Sequence, residues 1–84
     1  MSSPEFSLLQ LRVVSEADPA ALMRVLQPFQ SLNFVPRRVV AECSTVGEFH
    51  VCVDVFGLTE DRMTLITEKI NQVPCVLNAY WCRA

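Results

Sequence analysis

The hydrophobic pattern of the first half of the chain begins as an alternation and then changes to a helical spacing. Residues 6–14 read as a strand whose apolar positions share one face: Leu9, Leu11 and Val13. Apolar residues then recur at intervals of three or four: Leu22, Val25, Leu26, Phe29 and Leu32. This spacing predicts a helix with one buried stripe lying against a sheet.

Both ends of this helix carry recognisable signals. Asp18-Pro19 predicts its start, because an aspartate caps free amides and a proline suits the first helical position. Asn33 predicts its end, since asparagine tolerates the left-handed conformation. Pro28 lies inside the helical pattern and predicts either a bend or a new start of the last turn.

The first half ends in a strand, and the second half, residues 48–83, repeats the order of strand, helix and strand. A strand over 34–43 is followed by a turn at 44–47, and Pro36 indicates an edge strand or a bulge. The next strand, 48–56, has a clear core face: Phe49, Val51, Val53 and Val55. Thr59 is expected to cap a second helix that Pro74 stops. The last strand, 75–83, is predicted to turn one set of apolar residues to one face: Leu77, Ala79 and Trp81.

These elements predict an α+β fold, a ferredoxin-like βαββαβ two-layer sandwich. Its four-stranded antiparallel sheet carries both helices on one face. Right-handed crossovers place the first and third strands in the centre and the second and fourth at the edges. We expect residues 1–5 to be a flexible tail and residues 6–84 to form a single domain.

Charge and composition narrow the classes of function. The chain of 84 residues has a net charge of −2, which argues against a nucleic-acid partner. It has neither a membrane-spanning apolar run nor a signal peptide, so the expected location is the cytoplasm. The four cysteines, at 43, 52, 75 and 82, form no C-x-x-C pair. We interpret them as reduced packing residues, with a metal half-site at His50 and Cys52 or a disulfide as the alternatives.

No set of residues forms a catalytic constellation, so we expect a binding module that is not an enzyme and carries no cofactor. His50, the only histidine, has Asp54 on the same strand face but about 13 Å away at ~3.3 Å per residue. A binding function is indicated instead at the start of the first helix. Unpaired amides near Ala20–Leu22 can hold a carboxylate, and Asp18 can meet an ammonium group. The alternative is that Asp18-Pro19 is an ordinary helix cap.

The chain resembles an ACT domain over roughly residues 7–82. The resemblance rests on the strand Leu8–Val14, the turn Asp18-Pro19-Ala20-Ala21-Leu22, the helix segment Leu22-Met23-Arg24-Val25-Leu26 with Phe29, and the run Leu32-Asn33-Phe34-Val35. Among ACT proteins, the chain is most similar in size and in this run to the short small subunits of acetolactate synthase.

The resemblance implies a regulatory subunit, usually a homodimer, with an amino-acid effector bound between subunits. The effector residues it implies are Asp18, Pro19, Ala20, Ala21, Leu22, Asn33 and Phe34. The implied partner is the large catalytic subunit of a biosynthetic enzyme, and any thiamine diphosphate would belong to that partner. Ala20 stands where the family usually has glycine, and its methyl group would fill part of the effector pocket.

Two other functions fit the same sequence. The first is a freestanding homodimeric amino-acid sensor. The second is an adaptor without a ligand, whose open sheet face joins another protein through four polar residues: Arg12, His50, Asp54 and Tyr80.

Overall fold

A computed structural model describes residues 8–84, so the predicted tail 1–5 and the predicted start of the first strand lie outside the described residues. Six elements follow one another in the predicted order. They are β1 (Leu9–Glu16), α1 (Ala21–Ser31), β2 (Arg38–Cys43), β3 (Glu48–Val55), α2 (Glu60–Asn71) and β4 (Val76–Arg83).

The four strands form one antiparallel sheet in the order β2-β3-β1-β4. The prediction of β1 and β3 as central strands and of β2 and β4 as edge strands is therefore confirmed. β1 pairs with β3 from Leu9 opposite Val55 to Glu16 opposite Glu48. This arrangement is the ferredoxin-like two-layer sandwich that the sequence predicts.

The core lies between the sheet and the two helices. The alternating apolar residues of β1 and β3 meet one stripe from each helix, which removes most of them from water. The largest of these buried side chains are Phe29, Leu9, Leu11, Met63 and Ile70. Within residues 8–84, no helix covers the opposite face of the sheet, which is called the open sheet face below.

Helix α1 begins later than the sequence predicts and continues through its proline. Pro19 lies in the turn before the helix, which begins at Ala21 with Ala20 as its cap residue. Pro28 lies within a single helix that extends to Ser31, so the last turn does not start anew. Because Pro28 has no amide hydrogen, the carbonyl of Arg24 lacks its usual partner four residues on.

The end of α1 is a Schellman motif centred on Asn33, whose φ of 54° confirms the predicted left-handed conformation. The amide of Phe34 donates to the carbonyl of Phe29 at 2.9 Å, and the amide of Asn33 donates to the carbonyl of Gln30 at 2.9 Å. The rings of Phe29 and Phe34 pack with their centroids 6.5 Å apart. The motif therefore fixes the direction in which the chain leaves the helix.

β2 is shorter than predicted because residues 34–37 are not part of the ladder. The strand begins at Arg38, two residues after Pro36, which cannot donate a ladder hydrogen bond. Of its six residues, Val40 is half-buried and the other five are exposed.

A β-bulge in β4 changes the face of one predicted core residue. Val14 pairs with Asn78 whereas Ser15 pairs with Val76, which leaves Leu77 as the extra residue. Val76 consequently packs against the core, and Leu77 is exposed on the outside. The prediction that Leu77 shares a face with Ala79 and Trp81 is wrong for this reason.

Candidate functional site

The turn between β1 and α1 is held in place by hydrogen bonds from its backbone amides to two other parts of the chain. The amide of Glu16 donates to the carbonyl of Cys75 at 2.8 Å, and the amide of Ala17 donates to the carbonyl of Gly47 at 3.2 Å. These bonds tie the turn to the α2–β4 connection and to the β2–β3 hairpin. The start of α1 therefore has a fixed position relative to the sheet.

Asp18 partly fills the role of a helix cap and leaves two amides of the first turn open. Its Oδ1 accepts a hydrogen bond from the amide of Ala20 at 2.8 Å, and its backbone carbonyl accepts one from Ala21 at 2.9 Å. Within residues 8–84, the amides of Leu22 and Met23 find no acceptor. These two donors lie at the positive end of the helix dipole, where a carboxylate is stabilised.

Ala20 adopts φ −85° and ψ −7°, an ordinary right-handed conformation. The backbone therefore does not require a glycine here, and the alanine introduces no strain. The consequence of the alanine is a methyl group beside the open amides, in a residue that is half-buried. Any ligand at these amides has to fit beside that methyl group.

Asn33 and Phe34 lie at the opposite end of α1 from Asp18, Pro19, Ala20, Ala21 and Leu22. Eleven residues separate Leu22 from Asn33, so at ~1.5 Å per residue the two groups are about 16 Å apart. One chain thus does not bring all the predicted effector residues together.

An apolar cleft of about 320 Å³ lies where α1 meets the beginning of β2. Val35, with 84% of its surface exposed, forms one wall of this cleft, and half-buried Phe34 forms another. The other lining residues are Leu26, Phe29, Gln30, Asn33, Pro36 and Val39. A large apolar surface of this kind, next to a sheet edge, is typical of an interface.

The two edges of the sheet differ in how far they are covered. On β4, the side chain of Asn71 donates to the carbonyl of Ala79 and accepts from its amide, both at 2.9 Å. This amide side chain therefore occupies the β4 edge as a neighbouring strand would. On β2, the amide of Ser44 donates to the carbonyl of Glu48, and this bond determines which backbone amides of β2 point toward β3. The register then points the amides of three residues outward: Val39, Ala41 and Cys43.

The open sheet face holds the residues of the predicted adaptor surface. Arg12 and Tyr80 are cross-strand neighbours, and a shallow cleft of about 220 Å³ between them extends to His50 and Cys52. Burial, followed by the charge of Asp54, raises the pKa of the Cys52 thiol. A raised pKa keeps this cysteine protonated and therefore poorly nucleophilic.

The cysteines and the histidine form no metal site within residues 8–84. All four cysteines are free, and no cluster of three or more metal-binding side chains occurs in this part of the chain. His50 contacts Glu48, with Nε2 and Oε1 3.4 Å apart on the surface. In the same range, neither helix has the length and apolar character needed to cross a bilayer.

Two features of the surface were not predicted from the sequence: the exposure of Val35 and the contact of Asn71 with β4. Val35 follows Phe34 in a run that pattern alone assigns to a strand, and Asn71 ends a helix without an evident role. The signal for Val35 was the proline after it, which takes residues 34–37 out of the ladder. No local signal identified Asn71, because its partner lies eight residues away on another element.

Comparison with known proteins identifies the family and the fold of the chain. A family model described as ACT-like domain matches residues 3–84. The ACT domain from GTP pyrophosphokinase of Chlorobium tepidum superposes with a TM-score of 0.76 at 18% identity, covering 92% of this chain and 99% of that one.

Two further structures show the same fold. The C-terminal domain of the MgtC protein from Mycobacterium tuberculosis gives a TM-score of 0.76 at 14% identity, covering 100% of this chain and 94% of that one. An uncharacterised protein from Thermotoga maritima gives 0.75 at 14% identity, with coverage of 94% and 98%. At these identities the likeness concerns the fold alone. No curated protein sequence matches the chain.

Proposed function

The chain belongs to the ACT-like domain family, whose members are generally regulatory and ligand-binding, and from this premise we propose that it is a non-catalytic regulatory subunit acting as a homodimer. Each dimer binds a small amino acid between its subunits. The dimer in turn associates with a biosynthetic enzyme in the cytoplasm, such as the large subunit of acetolactate synthase.

The unequal covering of the two sheet edges supports a dimer formed through β2. Asn71 occupies the β4 edge at Ala79, whereas the outward amides of β2 have no partner within residues 8–84. Two β2 strands can pair antiparallel about a two-fold axis at Ala41, joining two sheets into one of eight strands. The apolar cleft beside β2, with Val35 at its rim, then adds the side-chain burial that a stable interface requires.

The open β2 edge is the observation that carries the proposal, because pairing two copies through it would reunite the separated effector residues. α1 runs antiparallel to β2 and lies beside it. Pairing β2 with its copy therefore sets the two α1 helices side by side in opposite directions. The start of one helix, at Asp18, then faces the end of the other, at Asn33.

The chemistry of the two helix ends suits an α-amino acid. The open amides of Leu22 and Met23 are donors for its carboxylate, and Asp18 is a partner for its ammonium group. Asn33 of the second subunit supplies an amide side chain, and Phe34 an apolar surface. The Ala20 methyl reduces the space, which favours a small effector or weak binding.

Thermal unfolding in the presence of each of the twenty amino acids tests this proposal. A ligand at 100 times its Kd stabilises the folded form by ~2.7 kcal/mol, a clear rise in Tm. We expect a rise with one or a few amino acids and a larger rise in the Ala20→Gly variant. If no amino acid raises the Tm of either protein, the chain is not an amino-acid-binding subunit.

The adaptor without a ligand is the second candidate, and one observation favours it. The Oδ1 atom of Asp18 already accepts the Ala20 amide, so the helix start is partly capped by the chain itself. Under this reading, changing Arg12 or Tyr80 on the open sheet face abolishes association with a partner. Asp18→Ala would leave that association intact.

A further inference from the structure

The surface between α1 and α2 forms a groove that the proposed β2 pairing would leave open. Two adjoining cavities of about 450 Å³ and 160 Å³ run along it and share Pro28, Ser31 and Lys69. The groove extends from Arg62 on α2 to Val73, two residues past the helix end, and its helical part is about 14 Å long at ~1.5 Å per residue. It lies on the side of α1 that faces α2, whereas β2 lies on the other side.

The rim of this groove is positively charged on a molecule whose net charge is −2. Arg24 contributes from α1, and Arg62 and Lys69 contribute from α2. Within residues 8–84, none of these three cations forms an ion pair or a side-chain hydrogen bond. No carboxylate lines the groove, and α1 contains none at all.

The acidic residues of α2 lie elsewhere on the helix. Glu60 binds Arg83 on the β4 side, with Arg83 Nε 2.7 Å from Glu60 Oε2. Asp61 and Glu68 are exposed and do not line the groove. The positive charge is therefore concentrated along the groove.

Apolar side chains line the α2 end of the groove nearest Arg62, whereas Gln27 and Ser31 add polar groups on the α1 side. Leu65 is 59% exposed and Leu32 is 40% exposed, and Ile66 lies between them. A ligand that matches this groove has apolar side chains and negative charges.

We propose that the groove between α1 and α2 binds an acidic segment of a protein partner, anchored by apolar side chains. An extended segment of about five residues spans its length at ~3.3 Å per residue. Carboxylates of the segment meet Arg24, Arg62 and Lys69, and its large apolar side chains cover Leu32 and Leu65. This surface is separate from the proposed effector site and does not depend on it.

Selection of random dodecapeptides on the purified protein, followed by fluorescence anisotropy with the selected peptides, tests this inference. We expect the selected pool to combine Asp and Glu with Leu, Ile or Phe, and the affinity to fall as salt is added. The double variant Arg24→Glu/Lys69→Glu should weaken binding about tenfold or more. The control is Arg37→Glu, an exposed cation outside both the groove and β2, which should leave the affinity nearly unchanged, whereas Arg24→Glu alone should weaken it.

A charge-swap measurement shows whether the double variant binds weakly because its contacts with the peptide are lost or because it no longer folds. The selected peptides, remade with lysine in place of each carboxylate, should bind the Arg24→Glu/Lys69→Glu variant better than they bind the native protein. A selected pool without acidic residues would overturn the inference. Equal binding to native and variant protein would also overturn it, as would binding of single-stranded RNA or phosphatidylserine vesicles without binding of acidic peptides.

Discussion

Asn33 is the residue on which the geometry of the α1 end depends. Its backbone has a φ of 54°, a region that most side chains avoid and that asparagine and glycine tolerate. Its amide and that of Phe34 satisfy two carbonyls at the helix end. A substitution here therefore acts on the backbone as well as on the side chain.

We expect Asn33→Ala to lower the free energy of unfolding by about 1 kcal/mol, because alanine is strained in the left-handed region. Asn33→Gly should be neutral or slightly stabilising, since glycine has no Cβ atom. Urea unfolding of the three proteins measures this. Equal stability of the alanine and glycine variants would contradict the account.

Individual residues differ in how well the sequence predicts them. The left-handed Asn33 and the Thr59 cap, whose Oγ1 accepts from the Arg62 amide at 3.3 Å, follow from local rules and were confirmed. The exposure of Leu77 was not predictable, because a bulge depends on pairing with another strand. The start of α1 was predicted to within two residues, which is the usual uncertainty of helix ends.

At the scale of the elements, the β4 edge depends on α2 for its cover. Three side-chain contacts join the two elements: Asn71 to Ala79, Trp81 Nε1 to Thr64 Oγ1 at 3.1 Å, and Arg83 to Glu60. Among them, only the Asn71 side chain forms hydrogen bonds with backbone groups of β4. It therefore protects β4 from pairing with another chain.

Removal of the Asn71 side chain should reduce stability and expose a second edge. Asn71→Ala leaves the amide and carbonyl of Ala79 without their partner, which costs about 1–2 kcal/mol of unfolding free energy. Gln72→Ala, at the next exposed position, is the control and should change little. Urea denaturation reports the difference, and an unchanged midpoint in Asn71→Ala would show that the edge needs no cover.

The β2 edge is expected to be the dimer interface, and a proline can block it selectively. Ala41→Pro removes an amide that points away from β3, so the ladder with β3 remains while pairing with a second β2 is prevented. Val40→Pro removes an amide that points toward β3 and should instead lower stability.

Light scattering during size-exclusion chromatography distinguishes these outcomes. The native protein should have twice the chain mass of 9.5 kDa, and Ala41→Pro should have the mass of a single chain. A native protein of single-chain mass, or an Ala41→Pro variant that stays dimeric, would rule out this interface.

At the scale of the whole molecule, periodicity was sufficient to predict the fold. The alternation in β1 and β3 and the helical stripes of α1 and α2 leave one arrangement in which all apolar faces meet. The effector site could not be derived in the same way. Asp18 and Asn33 lie at opposite ends of α1, so their relation depends on a second subunit, and single-chain patterns carry no information about it.

The central claim is that one effector site is built from two subunits, and mixing two inactive variants tests it most directly. Asp18→Ala damages the helix-start half of the site, and Asn33→Gly damages the helix-end half without straining the backbone. Neither variant alone should show the amino-acid-dependent rise in Tm or bind the amino acid in calorimetry. After mixing and exchange, about half of the dimers are mixed and carry one intact site each, so about a quarter of native binding should return. If mixed dimers form and no binding returns while the native protein binds, the site lies within one subunit and the account is wrong.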